Sequence, residues 1–317
     1  MSIGGKCFTG DRNLFLAEDI GELVALLVYL TKGQIIQILL GKAIAVKTRN
    51  KCQIIMDKAS KAMNNSTNVS LVAFYGDKPH EMQDLIAKLQ TQLANHQLLQ
   101  NKFVPYQMAQ VHGTIIGCEG LRANESVISQ WFKASRQEVR AINFSGVVNY
   151  LQQQIELPIM IRFGGYQRDR DYNFLSRNQH PGDRSFVLQS ADKQTIPVLI
   201  GWSWQDSAIT LAIDRHRYSF QQFNLLHKYH ATPEAVDNDF YLRLGTISGQ
   251  LTATETDVIA TEIRNLLAAS PIDISIGLNN LAFVQYQDLQ LTPATTKVIP
   301  VGSITPSQLE QLYVENV

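Results

Sequence analysis

From Val69 onward the chain alternates short apolar runs with amphipathic stretches, and that alternation predicts an α+β protein. Val69 to Tyr75 is an apolar run closed by the turn residues Gly76, Asp77, Lys78 and Pro79, which predicts a strand. Met82, Leu85, Ile86, Leu89 and Leu93 then fall on one face at helical spacing, the mark of an amphipathic helix. A β-branched run from His112 to Gly117 predicts a second strand, so this half opens strand, helix, strand. A helix follows over Phe144 to Ile155, capped by Asn143 or Ser145, and Pro158 to Phe163 reads as a strand ended by Gly164 and Gly165. Strands are predicted at Ser185 to Gln189, Thr195 to Trp202 and Ser207 to Ile213, with Asp192 and Lys193 in a hairpin turn. Tyr218 to Tyr229 predicts a helix, Phe240 to Gly249 a strand and Glu255 to Ala268 an amphipathic helix. Ile272 to Ile276 and Leu281 to Tyr286 alternate as a hairpin around Gly277 to Asn280.

The two ends differ from this middle. Residues 1–65 read as a separate N-terminal helical element that ends in the polar run from Asn64 to Asn68. Its apolar stretches, Leu23 to Leu30 and Ile35 to Val46, are interrupted by Lys32, Gly33, Gln34, Gln37 and Lys42. A bilayer span needs roughly 20 uninterrupted apolar residues, so the interruptions favour buried or interface helices and disfavour a membrane contact. Asp19 and Glu22 stand where a signal peptide would carry positive charge. Residues 20–46 are then a candidate surface for a protein partner or for self-association. Residues 66–292 read as the main domain, and 293–317, with Pro293, Pro300 and Pro306, as a mostly irregular tail that covers a sheet edge.

Composition narrows the chemistry. The chain has 317 residues, 45% of them hydrophobic, and 28 basic against 28 acidic side chains, so no global field draws nucleic acid non-specifically. Cys7, Cys52 and Cys118 are odd in number and lack CxxC spacing, which points away from disulfides and zinc and toward a reducing cytoplasm. Dinucleotide-binding, P-loop, nucleophile-elbow, HExxH and EF-hand signatures are missing, and the expectation is a protein with no cofactor and no metal. Tyr166 to Arg184 is a loop of mixed charge. At its start, Arg162, Tyr166 and Arg168 combine guanidinium, aromatic and glycine neighbours in a manner suited to a phosphate and a stacked base, or else form a strand end running into a solvated loop.

The sharpest signal is a string that occurs nearly twice, His-Gly-Thr-Ile-Ile-Gly at His112 to Gly117 and Leu-Gly-Thr-Ile-Ser-Gly at Leu244 to Gly249. Strand alternation points His112 and Thr114 to the same side. An imidazole and a hydroxyl facing one cleft can hold a phosphate oxygen and move a proton near neutral pH, although His112 equally suits a core ring satisfied by a carbonyl.

With these strings in this order, the chain resembles the two-histidine phosphoesterase superfamily, which includes RNA ligase-like cyclic phosphodiesterases, over about residues 69–291. The resemblance rests on His112-Gly113-Thr114 after a strand and helix, and on Leu244-Gly245-Thr246 before a helix and the run Phe283 to Leu289. It implies two pseudo-symmetric lobes, each an antiparallel sheet with outer helices, that place the motifs across a shared groove. It further implies a protein acting on or binding a nucleotide or RNA end with a 2′,3′-cyclic type phosphodiester. His112 would then be acid or base, and Thr114 and Thr246 would hold phosphoryl oxygens. Arg162 or Arg243 would balance charge, Arg243 lying by strict alternation on the face opposite Thr246. Leu244 stands where the family's second histidine belongs and can neither move a proton nor donate a hydrogen bond. Two alternatives follow, a non-catalytic nucleotide or RNA binder and a protein-interaction module. His216, flanked by Asp214, Arg215 and Arg217, is a further phosphate-binding candidate, and His180, His227 and His230 are the other histidines able to replace the missing one.

Overall fold

The strands assemble into antiparallel sheets, and helices close one side of the larger sheet. The structure, a computed structural model, describes residues 66–123 and 125–314. The readings placed on 1–65, including 20–46, lie outside the described residues. In chain order the strands are β1 (Ser66–Thr67), β2 (Val69–Ala73), β3 (Phe103–Pro105), β4 (Gly113–Gly117), β5 (Gly120–Ala123), β6 (Ser126–Ser129), β7 (Ile159–Phe163), β8 (Phe186–Ala191), β9 (Gln194–Gln205), β10 (Ala208–Ile209), β11 (Phe240–Arg243), β12 (Gly245–Ser248), β13 (Ile272–Ile276), β14 (Leu281–Tyr286) and β15 (Thr296–Pro300). The helices are α1 (His80–Asn95), α2 (Gln130–Arg136), α3 (Phe144–Asn149), α4 (Pro181–Arg184), α5 (Ala212–Ser219), α6 (Ala253–Ala268) and α7 (Pro306–Gln311). The large sheet runs β13-β7-β9-β11-β4-β2-β14-β15, while β1, β5 and β6 form a small separate one.

Alternation assigns each side chain of the large sheet to a face. Leu71, Leu199, Leu242 and Phe283 point to one side, where the apolar stripes of α1 (Met82, Leu85, Ile86, Leu89, Leu93) and α6 (Ile259, Ile263, Leu267) cover them in the main core. Each such buried aliphatic or aromatic side chain contributes about 1.5–3 kcal/mol. On the other side, Ile196, Val198, Ile200, Trp202 and Trp204 of β9 lie under Tyr166 and Tyr172 from the charged loop. A second small cluster on this side joins Val72, Val284, Tyr286 and Leu291. Between the two patches, over β4 and β11, the sheet is left open.

Several sequence expectations are corrected. Ile272–Ile276 and Leu281–Tyr286 are strands but not a hairpin: β13 pairs with β7, and β14 lies between β2 and β15. Alternation identifies a strand but not its distant partner. Ser207 to Ile213 yields only the two residues of β10, because Ala212 already begins α5. The helix expected over Tyr218 to Tyr229 instead ends α5 at Ser219, continues as a single tight turn over Phe220–Phe223, and stops at Asn224, whose φ of 62° is left-handed. Residues 225–229 are therefore irregular. The tail supplies β15 as a sheet edge and α7, capped by Thr305, whose hydroxyl accepts the Gln308 N–H. Among the described residues no helix is long and apolar enough to cross a membrane.

Candidate functional site

Both strands that carry the repeated string are bulged. In β4, Thr114 pairs with Val72 and Ile116 with Leu71, so Ile115 is an extra residue. In the second segment, three residues separate Arg243 from Ile247 whereas two separate their β9 partners Val198 and Thr195. The extra residue falls at Leu244–Gly245. Leu244 has no exposed surface and packs in the main core. The bulge also changes the side-chain bookkeeping: Arg243 and Thr246, opposed under strict alternation, fall on the same face of the sheet.

The two strands meet at one ladder position, Leu242 opposite Gly113. Both of these residues point into the core, so their neighbours His112, Thr114, Tyr241 and Arg243 share the open face. A cavity of about 170 Å³ lies there, lined by these four with Ser70, Glu119, His227, Tyr229 and Tyr286 among others. It is smaller than the roughly 300–1,000 Å³ usual for a drug-sized ligand. The close approach depends on Gly113, since a Cβ there would collide with the Phe240 ring.

Burial and neighbouring charges set the protonation states of the groups that line the cavity. His112 Nδ1 lies 2.6 Å from the Gln110 carbonyl oxygen. A carbonyl only accepts, so Nδ1 carries the proton and Nε2 keeps its lone pair. Burial lowers the His112 pKa to about 4; the Gln110 bond opposes this, and the cations Arg243 and Lys78 reinforce it. The ring is a neutral base at pH 7. Arg243 makes one long bond, Nη1 to the Leu289 carbonyl at 3.4 Å, so much of its guanidinium remains available. Burial raises the Tyr241 pKa, so its hydroxyl stays protonated and donates. Glu119 is raised by burial too, and accepts the Trp131 Nε1–H at 2.6 Å.

Behind the cavity, Arg217 fixes the two strands relative to each other. The Thr114 and Ile115 carbonyls at the β4 bulge take its Nη2 and Nε at 3.1 and 2.7 Å. The same guanidinium donates to the Asp237 and Asp239 carbonyls at 2.6 and 3.0 Å, at the entry to β11. It lies 3.3 Å from the Asp237 carboxylate and is 1% exposed. Burial pushes the Asp237 carboxyl up, but Arg217 and a 2.8 Å hydrogen bond from His227 hold it well below the usual carboxylate range. Tyr229, at the cavity rim, is 39% exposed and lies beneath the Arg177 guanidinium at 4.4 Å.

No family model matches this chain, and no curated protein matches it. Among solved structures the chain is similar to TT0787 of Thermus thermophilus, with 12% identity over 73% of this chain and 93% of that one, and a TM-score of 0.33. A superposition that weak carries no argument about chemistry.

Of the residues singled out in the sequence, His112, Thr114, Arg243 and His227 come together, and Thr246, Arg162, Tyr166, Arg168 and His216 lie elsewhere. Thr246 sits in β12 opposite Val104 of β3 and is not among the residues that line the cavity. Arg162 forms a two-pronged pair with Asp273 at 2.7 and 2.6 Å and stacks over Trp204 at 4.2 Å. Tyr166 is 2% exposed and donates its hydroxyl to the Arg162 carbonyl. Arg168 pairs with Asp183 at 2.8 Å. His216 is buried against the Tyr150 hydroxyl at 3.0 Å and lines a different cavity with Glu156 and Trp204. Tyr241 and Tyr229 carried no sequence signal of their own. For Tyr241 the available clue was its parity with Arg243, two residues on.

Proposed function

We propose that the cavity over β4 and β11 is a phosphoester site of the two-histidine type, binding a nucleotide or RNA end that carries a 2′,3′-cyclic or related phosphodiester. In this reading β2, β4, β14 and β15 make one lobe and β7, β9, β11 and β13 the other. The second motif is Tyr241-Leu242-Arg243, and Leu244-Gly245-Thr246 has no assigned role. The observation that carries it is the Leu242–Gly113 register, which sets an imidazole and a hydroxyl facing a phenol and a guanidinium. His112 Nε2 takes the proton of an attacking water, Thr114 holds a phosphoryl oxygen, and Arg243 balances the charge that grows in the transition state. Tyr241 donates a hydrogen bond to the same group.

A second reading, a binding module without turnover, is favoured by both segments at once: Leu244 is buried in the core, and the triplet that reaches the cavity carries the phenol of Tyr241 and no histidine. One experiment separates the two. Nucleoside 2′,3′-cyclic phosphates and short RNA ends are titrated against the wild type and His112→Ala, following binding and product together. Turnover that falls by about 10²–10⁴ in the variant supports the enzyme. Binding that persists without product in both supports the module, and the absence of binding to either protein removes the phosphoester reading.

A further inference from the structure

We propose that His227 supplies the second proton-transferring imidazole of the His112 cavity, acting through Nδ1 while Asp237 holds its Nε2–H. This rests on the phosphoester reading above and adds the proton donor that the reading lacks. All seven histidines of the chain lie among the described residues, and His112 and His227 are the two that line this cavity. His227 is 5% exposed, and its Nε2 is 2.8 Å from Asp237 Oδ2. Asp237 is ionised and only accepts, so Nε2 carries the proton and Nδ1 the lone pair. That Nδ1 is buried without a hydrogen-bond partner. A bare polar atom inside a protein costs stability unless something fills its valence, and a cavity-bound group would do so.

His230 repeats half of this arrangement. It bonds Asp214 at 2.9 Å and also leaves Nδ1 bare, but its ring is stacked on Tyr218 at 4.1 Å and it does not line the cavity. The groups that face His227 are Asp237, Arg217, His230 and Tyr229, the last two with ring centroids at 5.1 and 5.6 Å. Those beside His112 are Arg243, Lys78 and Tyr75. Burial keeps both imidazoles neutral in the free site, with pKa values of about 3 for His227 and about 4 for His112. One proton must therefore enter with the anion. His227 faces the cation Arg217 as well as the Asp237 carboxylate, so its part as the acid rests on geometry, the Nε2–H held by Asp237 and the bare Nδ1 at the cavity, and not on a greater basicity than that of His112.

The step then balances. His112 Nε2 takes a proton from water as the water oxygen bonds to phosphorus, and the P–O bond of the cyclic diester breaks. The departing ribose oxygen takes the proton from His227 Nδ1, and His112 releases its own to solvent. One water is consumed and one monoester formed.

The test uses the full wild-type chain. Its histidine ring nitrogens are followed by ¹⁵N NMR at pH 7 as adenosine 2′-monophosphate, a product-type anion, is added. His227 Nδ1 is expected to gain a proton, and calorimetry in buffers of different ionisation enthalpy is expected to show about one proton taken up per anion. His227→Gln should abolish that uptake and slow turnover of adenosine 2′,3′-cyclic phosphate by about 10²–10⁴, with anion affinity changed only a few-fold. If the anion perturbs His112 while His227 Nδ1 stays unprotonated, His227 is a structural residue and this inference falls, with the phosphoester reading intact. If neither ring responds, both fall. The wild-type measurement decides the matter even if the variant does not fold.

Discussion

β4 and the β11–β12 segment carry nearly the same six residues, yet they offer different triplets to the cavity. In β4 the string itself faces the open side: His112 and Thr114 flank Gly113, and the bulge comes just after, at Ile115. In the second segment the bulge falls at the start of the string, at Leu244–Gly245, and the triplet before it, Tyr241-Leu242-Arg243, meets β4. Aligned by their bulges, the two triplets correspond residue for residue, His112 with Tyr241 and Thr114 with Arg243. Aligned by their glycines, Gly113 would match Gly245 instead, three residues away. The bulge sets which side chains reach the cavity, and the letter match does not. Leu244 is a core residue at a bulge.

The comparison breaks most visibly at Arg217, the group that ties the two bulged strands together. Arg217→Met strips a donor from four carbonyls and leaves Asp237 buried without its cation. It should cost about 3–5 kcal/mol in urea unfolding. A loss under about 1 kcal/mol would mean that the strands hold their register without it. Arg243→Gln is next. Hydrogen bonds to charged groups contribute about 1.5–3 kcal/mol, so phosphate-ester affinity should fall roughly 10- to 100-fold by calorimetry with stability little changed. An unchanged Kd would separate Arg243 from the site.

Acid should weaken the site's half of the molecule through its buried rings. His112 and His227 have folded pKa values of about 4 and about 3 against an ordinary 6.5, so the unfolded chain binds more protons between those values. Their contribution is present above about pH 6.5 and is lost as the pH falls toward the folded values. Urea midpoints should drop from about pH 7.5 to about pH 5, and His112→Gln should flatten that slope; equal slopes would contradict neutral buried rings. The smallest effect sharpens the comparison most. Thr246→Val should change ligand affinity by under about 0.5 kcal/mol, because Thr246 pairs with β3 and does not line the cavity. Thr114→Val, with the equivalent letter in the first string, should weaken binding measurably.

Local rules made much of this legible. The stripe from Met82 to Leu93 announced α1, the apolar runs announced β2, β4, β7 and β14, and Asp192–Lys193 marked the two-residue turn between β8 and β9. His112, Thr114 and Arg243 were nameable because a polar residue in an apolar run needs an explanation. Arg162, Arg168 and His216 looked equally reactive on paper, and each proved to be matched by a near neighbour: Asp273, Asp183 and Tyr150. Those partners lie as far as 111 residues away in the chain.

The sequence by itself therefore determined the kinds of element and three of the polar residues that line the cavity, because helix and strand periodicity are written in spacings of a few residues. Tertiary structure alone decided the strand order, the two bulges, the pairing of Leu242 with Gly113 and the arrival of His227 from an irregular segment. Each of these depends on contacts between residues far apart in the chain, where a shift of one position turns a side chain from the core to the cavity.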